Sequence, residues 1–165
     1  MNVAKAVEKA IAAVLRNYAE LGADVVVRTY RALDFDGSWE ATKDRQFPLV
    51  DVRCAYPVVT EGQCTTYAEC AIRYATKTDD DPKHAVFCEL EDAVVAAIER
   101  MFNQFRTKTD GDEMTQFKAD LAADLGGNFE YSGLTWGEGG EPSSGDGINM
   151  GTVKIRVNYV RKDFI

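Results

Sequence analysis

The chain has 165 residues, with 27 Asp and Glu against 19 Lys and Arg and a formal net charge of −8. This length predicts one domain over residues 1–165 with a core of its own, and the acidic balance disfavours wrapping of nucleic acid, which needs clustered cations. No apolar run approaches the roughly 20 residues that a membrane span requires. The chain opens without a signal-peptide core, so we expect a cytosolic protein with no membrane partner.

The first segment has the spacing of an amphipathic helix. Its apolar residues form one stripe over 3–21, and Gly22 is a common type of helix stop. The charged residues are expected opposite this stripe: Lys5, Glu8, Lys9 and Arg16. The β-branched run 25–31 then predicts a first strand, onto which the helix folds back.

Two further strands are expected before the middle of the chain. A polar stretch, 33–46, predicts an exposed flexible loop in which Trp39 is an apolar anchor. Residues 47–56 alternate as a second strand, and a polar turn leads from it to a strict alternation over 64–76 that turns the face of Ile72 inward. The two strands should therefore pair antiparallel, as a hairpin with a longer connection.

A long helix follows the central strand. The aspartates 79–81 break the strand pattern, Pro82 suits a position just inside a helix start, and Asp80 or Asp81 is a natural N-cap. Apolar residues over 85–105 then recur at three- and four-residue spacings, which gives a stripe wide enough to pack on a sheet.

The remaining segments complete an α+β pattern. Residues 112–125 predict a shorter helix closed by glycines, 129–136 a fourth strand, and 152–161 a final strand. The dense Gly and Ser of 137–147 oppose order in a free monomer, so we expect a flexible loop over about 137–150. The element order predicts a mostly antiparallel sheet of four to five strands with the helices largely on one face.

The four cysteines do not predict a metal site. Cys54, Cys64, Cys70 and Cys88 contain no Cys-x-x-Cys pair, and their spacings fit no common zinc finger. Cys54 and Cys70 lie in predicted strands, where free cysteine behaves as a small buried apolar residue. We therefore expect structural thiols that a cytosolic protein keeps reduced.

The other candidate groups are also weak. The single histidine, His84, lies beside the aspartates 79–81, but it lacks companions for catalysis or metal binding and is interpreted as an exposed helix-start residue. The aspartates lack the ligand spacing and trailing Glu of an EF-hand loop. No serine sits in a nucleophile elbow, and the glycines of 133–151 precede no helix that could bind phosphate. The sequence thus predicts no enzyme, catalytic residue, cofactor or metal.

The order of elements resembles the tail terminator proteins of long-tailed bacteriophages. The resemblance rests on the N-terminal helix, the strand 48–56, the strand 64–76 that ends in the acidic run, the helix after it, and the final hairpin around 137–147. The chain departs from the shortest members in its helix 112–125 and in the length of its glycine-rich segment. No active-site residues come with this family.

The resemblance implies a structural role in a virion. Family members form a ring, usually a hexamer, that caps the tail tube, stops its polymerisation and presents a surface to the head. The implied partners are copies of the chain itself, the tail tube protein and a neck or head-completion protein, at the head-proximal end of the tail. Genomic DNA would pass through the lumen without specific binding, which suits an acidic protein. Assembly would take place in the host cytoplasm.

Two alternatives stay open from the sequence. One is a head-closure, neck or tail-tube component of the same particle, and the other is a small cytosolic enzyme or ligand-binding domain. On the assembly interpretation, the candidate interface residues are Trp39, Asp79, Asp80, Asp81, Gly139, Glu141, Ser144 and Asp146.

Overall fold

A computed structural model describes residues 2–31, 47–55, 58–59, 65–137 and 140–161 of the chain. These residues form three α-helices: α1 (Val3–Asn17), α2 (Ala85–Thr107) and α3 (Asp112–Leu125). They also form seven strands: β1 (Val26–Thr29), β2 (Leu49–Cys54), β3 (Val58–Val59), β4 (Thr65–Lys77), β5 (Phe129–Trp136), β6 (Ser143–Gly145) and β7 (Ile148–Arg161). The short 3-10 helices Ala19–Leu21 and Gly126–Asn128 follow α1 and α3.

The strands form one sheet in the order β1-β2-β4-β7-β5. β3 and β6 are short additions that pair with β4 and β7. Every pair is antiparallel except β1 with β2, which run parallel. The predicted α+β fold with a mostly antiparallel sheet is confirmed, and its five-stranded body has the predicted size.

The hydrophobic core lies between one face of the sheet and the three helices. On β4 the buried inward residues are Ala68, Cys70, Ile72 and Tyr74, and on β7 they are Val153, Ile155, Val157 and Tyr159. The apolar stripes of α1, α2 and α3 close over this face in a single cluster. The predicted inward face of Ile72 is confirmed, because strand alternation leaves just one side of β4 apolar.

The opposite face of the sheet carries no helix among the described residues. This face is formed by the alternate strand residues, whose side chains point away from the helices, and most of these side chains are polar or charged. A small separate cluster, Leu49 and Ala75 with four half-buried neighbours, lies at one end of this face. The described residues therefore form two layers, a sheet and the three helices on one side of it.

The position of Glu8 differs from the prediction for the polar face of α1. The side chain is fully buried, although the helical spacing placed it opposite the apolar stripe. Its carboxylate accepts hydrogen bonds from the backbone N–H groups of Arg31 (3.0 Å) and Cys54 (2.9 Å), and it also pairs with the Arg31 guanidinium. Glu8 thus joins the helix to the points where β1 and β2 end.

The expectation of reduced thiols is wrong for two of the four cysteines. Cys54 and Cys70 face each other across β2 and β4 and form a disulfide. The neighbouring pair is hydrogen-bonded, with Ala55 N–H donating to Glu69 O at 2.7 Å, so the cysteines occupy the closer, non-hydrogen-bonded type of site. Cys88 is a free, exposed thiol.

The predicted flexible loop over 137–150 is instead largely a β-hairpin. Strand β6 pairs with the start of β7, which begins at Ile148 and not near residue 152. Asp146 and Gly147 connect them with positive φ angles of 55° and 77°, the conformation of a type I′ turn. The other predicted loop, 33–46, lies outside the described residues.

Gly151 provides a test of the β4–β7 packing. A Cβ added there would lie 2.6 Å from Tyr74 Cζ, and Tyr74 is held by a 2.5 Å hydrogen bond from its hydroxyl to Glu91. We expect Gly151→Ala to lower the free energy of unfolding by about 1–3 kcal/mol, since overpacking forces a well-packed core to shift. Urea denaturation measures this loss. The control is Gly140→Ala, which meets nothing within 4 Å and should change stability by less than about 0.5 kcal/mol.

Candidate subunit interface

The turn between β4 and α2 is organised by Asp81. Its carboxylate accepts hydrogen bonds from the N–H groups of Val86 (3.0 Å) and Phe87 (2.9 Å) in the first turn of α2. The helix begins at Ala85, three residues after Pro82, and not at Pro82 as expected. The predicted N-cap at Asp80 or Asp81 is wrong, because His84 holds that position. The Asp81 carboxylate nevertheless accepts the capping hydrogen bonds from four residues before the helix start.

Asp81 is also part of a buried polar network. Its carboxylate accepts a 3.1 Å hydrogen bond from Thr76, and the side-chain amide of Asn149 donates to the Thr76 hydroxyl at 3.3 Å. Burial alone would raise the pKa of Asp81, but the hydrogen bonds from Val86, Phe87 and Thr76 outweigh it and hold the pKa below the usual value. The carboxylate is therefore kept ionised inside the protein.

This network brings the predicted interface segments together. Ser144 in β6 donates to the Asn149 side chain at 2.8 Å, and Thr78 N–H donates to Gly147 O at 2.9 Å. The turn after β4 and the hairpin β6–β7 thus meet at one end of the sheet. The sequence assigned both segments to an interface without predicting that they touch.

The predicted interface residues differ in accessibility. Five are exposed: Asp79, Asp80, Glu141, Ser144 and Asp146. Asp81 is 4% exposed and has structural hydrogen-bond partners, so its side chain is not part of the accessible surface. Trp39 and Gly139 lie outside the described residues.

A second candidate surface was not predicted from the sequence. Trp136, at the end of β5, is 43% exposed and stacks on Phe102 of α2 with 4.6 Å between ring centroids. Phe105 is 37% exposed and packs edge-on against Tyr131 at 6.0 Å. The aromatic groove, as we call the 590 Å³ cleft between α2 and β5, is lined by Glu99, Phe102, Asn103, Phe105, Arg106, Leu134 and Trp136.

The apolar stripe of α2 is buried over a shorter length than the sequence predicted. Phe102 and Phe105 have helical spacing with the core residues, yet burial of the stripe ends at Met101. Beyond that point the partner strand is β5, which has a bulge between Tyr131 and Gly133. The sequence offered one signal for this surface, a tryptophan at the end of a predicted strand, since large aromatic residues are enriched in interfaces.

The groove borders a free strand edge. Among the described residues, β5 pairs with β7 along one side and with no strand along the other. An open edge presents unpaired N–H and C=O groups to another chain, and exposed apolar side chains beside it favour association. The edge of β5 and the aromatic groove together form a candidate subunit interface.

In the described part of the chain, the candidate titratable residues are not arranged as a metal site. No group of three or more His, Cys, Asp or Glu side chains there is placed to hold a metal ion. His84 is exposed and has a left-handed backbone, with φ 59°, immediately before α2. Its ring packs edge-on against Phe87, with 6.4 Å between the ring centroids.

Comparison with protein-family models and with curated protein sequences finds no match to this chain. Within the described residues, no helix combines the length and the apolar character that crossing a membrane would require. The functional interpretation therefore depends on the surfaces of the molecule itself.

Proposed function

We propose that this protein is a structural subunit of a bacteriophage tail. In this proposal, copies of the chain form a ring, a hexamer as is usual for terminators, that caps the tail tube, stops its polymerisation and provides the surface for head joining. Its partners are the tail tube protein and a neck or head-completion protein. It belongs to the virion, at the head-proximal end of the tail, and assembles in the host cytoplasm.

The observation that carries the proposal is the open edge of β5 beside the aromatic groove. A monomer that exposes Trp136 and Phe105 next to a strand edge that pairs with no other described strand leaves apolar and hydrogen-bonding surface unsatisfied. In a closed ring every subunit has neighbours, so such surfaces can be covered in all copies alike. An overall charge of −8 is compatible with DNA passing through the ring, since carboxylates repel phosphates.

Deletion of the gene tests the function directly. Loss of a tail terminator should give overlong tails, because nothing stops tube growth. Loss of a neck or head-closure protein should instead give tails of normal length without heads, and loss of a tube protein should give no tails. Electron microscopy of the resulting particles distinguishes these outcomes, and tails of normal length would overturn the proposal.

The variant Trp136→Ala tests whether the aromatic groove takes part in association between subunits. The side chain is almost half exposed and stacks on one ring, so we expect its loss to lower the free energy of unfolding by less than the roughly 3–5 kcal/mol of a fully buried tryptophan. In assembly the same change should weaken ring or tube association by at least about tenfold, since buried tryptophan anchors dominate interface energetics. Sedimentation velocity and tube-capping assays measure the association.

The matched control for Trp136→Ala is Tyr18→Ala. Tyr18 is a half-buried aromatic residue at the C-terminal end of α1, and it lines neither the groove nor the surfaces of the sheet. A loss of association that is equal in both variants would show that the groove has no special role.

A further inference from the structure

The charge of this acidic protein is unevenly distributed over the sheet. Among the described strand residues, register places six cations on the face opposite the helices: Arg28, Arg53, Arg73, Lys77, Lys154 and Arg156. The described strand residues of this face include three carboxylates, Asp51, Glu69 and Glu130, so cations outnumber carboxylates there. Asp51 pairs with Arg53 at 2.6 Å. We call this surface the basic face. Arg156 at its centre pairs with Glu69 at 3.1 Å and lies over the Tyr67 ring.

The opposite charge is concentrated around the start of α2. Residues 78–92 contain six carboxylates and a single cation, Lys83. Two of the six are engaged within the subunit, because Asp81 caps α2 and Glu91 accepts the Tyr74 hydroxyl. The other four are exposed, namely Asp79, Asp80, Glu89 and Asp92, and we call them the acidic patch.

Glu89 and Asp92 of the acidic patch lie on the opposite layer of the subunit from Lys154 and Arg156 of the basic face. Helix α2 packs on the apolar face of the sheet, whereas Lys154 and Arg156 lie on the other face. Side chains on opposite layers of a sheet cannot meet within one chain. Their charges can be brought together by a second copy.

We propose that the acidic patch of one copy binds the basic face of the next copy around the ring. The inference rests on the proposed ring, and it specifies which surfaces meet. The contact is heterologous, joining two different surfaces, and repetition of such a contact generates a closed ring when the rotation closes. It also places a helix against the face of the sheet that carries none among the described residues.

A second copy fits the basic face better than nucleic acid does. Polyanion binding requires cations that outnumber nearby carboxylates over an extended surface, and the net charge of −8 repels a duplex at long range. The acidic patch, in contrast, is carried by every copy at the same concentration as the basic face. Electrostatic complementarity of this kind fixes the register of subunits and weakens with added salt.

Charge reversal and its rescue test the pairing. Lys154→Glu/Arg156→Glu reverses the basic face, and Glu89→Lys/Asp92→Lys reverses the acidic patch, at exposed or half-buried positions. Each double variant should associate at least about tenfold more weakly than the wild type, because like charges then face each other. The quadruple variant restores opposite charges and should recover rings. Sedimentation velocity at low and high salt, with electron microscopy, measures assembly.

The control is Lys5→Glu/Lys9→Glu on the exposed side of α1, which changes the net charge by the same −4 as the basic-face variant. It should leave assembly intact. Unchanged rings in either double variant, or no recovery in the quadruple variant, would overturn the pairing. If the wild type stays monomeric in sedimentation, static light scattering can measure the weak interaction between copies instead. Net repulsion between copies at every salt concentration would also overturn the pairing.

Two further results separate this inference from the proposed function. Rescued pairing in a protein whose deletion leaves tail length normal would refute the terminator role and keep the contact. Tight, salt-dependent binding of a labelled DNA duplex by the wild type, lost in Lys154→Glu/Arg156→Glu, would assign the basic face to nucleic acid and overturn the inference. Fluorescence anisotropy at low salt measures that binding.

Discussion

Replacement of Glu8 by alanine is expected to lower the free energy of unfolding by about 3–5 kcal/mol, the usual cost of removing one partner of a buried ion pair. Glu8 is fully buried on α1, and its carboxylate accepts the backbone N–H groups of Arg31 and Cys54. The Arg31 guanidinium pairs with the same carboxylate and donates to Cys54 O at 2.7 Å. Without Glu8, two backbone donors and a largely buried cation lose their acceptor at once.

Urea denaturation followed by circular dichroism measures this effect. Lys5→Ala serves as the control, since Lys5 is exposed on the same helix and its loss should cost less than about 0.5 kcal/mol. A loss below about 1 kcal/mol for Glu8→Ala would mean that water satisfies the donors in place of the carboxylate. It would contradict the role of Glu8 as the link between α1 and the two strand ends.

Replacement of Asp81 by alanine is expected to cost about 2–3 kcal/mol, the sum of a lost helix cap and lost hydrogen bonds to a charged acceptor. The N–H groups of Val86 and Phe87 and the hydroxyl of Thr76 would lose their partner in a site where Asp81 is 4% exposed. The change should also loosen the hairpin β6–β7, because Thr76 connects Asp81 to Asn149. Hydrogen exchange at the β6–β7 amides reports this loosening.

Asp80→Ala is the matched control, because Asp80 is adjacent, identical in chemistry and exposed. We expect it to change stability by less than about 0.5 kcal/mol. Equal losses in the two variants would indicate that the acidic run acts through its total charge and that the hydrogen bonds of Asp81 are unimportant.

The lowered pKa of Asp81 predicts that the stability of the fold depends on pH. The pKa of Asp81 in the folded protein lies below its ordinary value of 3.8, so the ionised form is the one that the fold stabilises. Its contribution is therefore fully present above the unfolded pKa and is lost as the pH falls through the folded pKa. Urea titrations at pH 7 and near pH 3 should show a smaller acid-induced loss of stability in Asp81→Asn than in the wild type.

Local patterns predicted most elements because they depend on neighbours in the chain. Helix α3 and strand β5 have the predicted bounds, since their periodicity, caps and flanking glycines all lie within one short window. The hairpin β6–β7 also had a local signal in Asp146-Gly147, a dipeptide typical of type I′ turns. The overall density of glycine and serine in that segment suggested a flexible loop instead.

The candidate interface was partly accessible to sequence reasoning. The acidic turn 79–81 and the glycine-rich segment stand out by composition, and both lie at the same end of the sheet. The aromatic groove does not stand out, because Phe102 and Phe105 share the spacing of the core residues of α2. Whether such a residue is buried depends on what lies opposite it, and at this end of the helix the opposite element is the edge strand β5.

The sequence by itself determined the fold class, the order of helices and strands and the inward face of β4, because apolar periodicity at 2 and 3.6 residues fixes which side of each element avoids water. The tertiary structure alone decided the burial of Glu8, the disulfide between Cys54 and Cys70, and the separation of a basic face from an acidic patch. Each of these depends on residues far apart in the chain that strand register and helix packing bring together, and no local window contains that information.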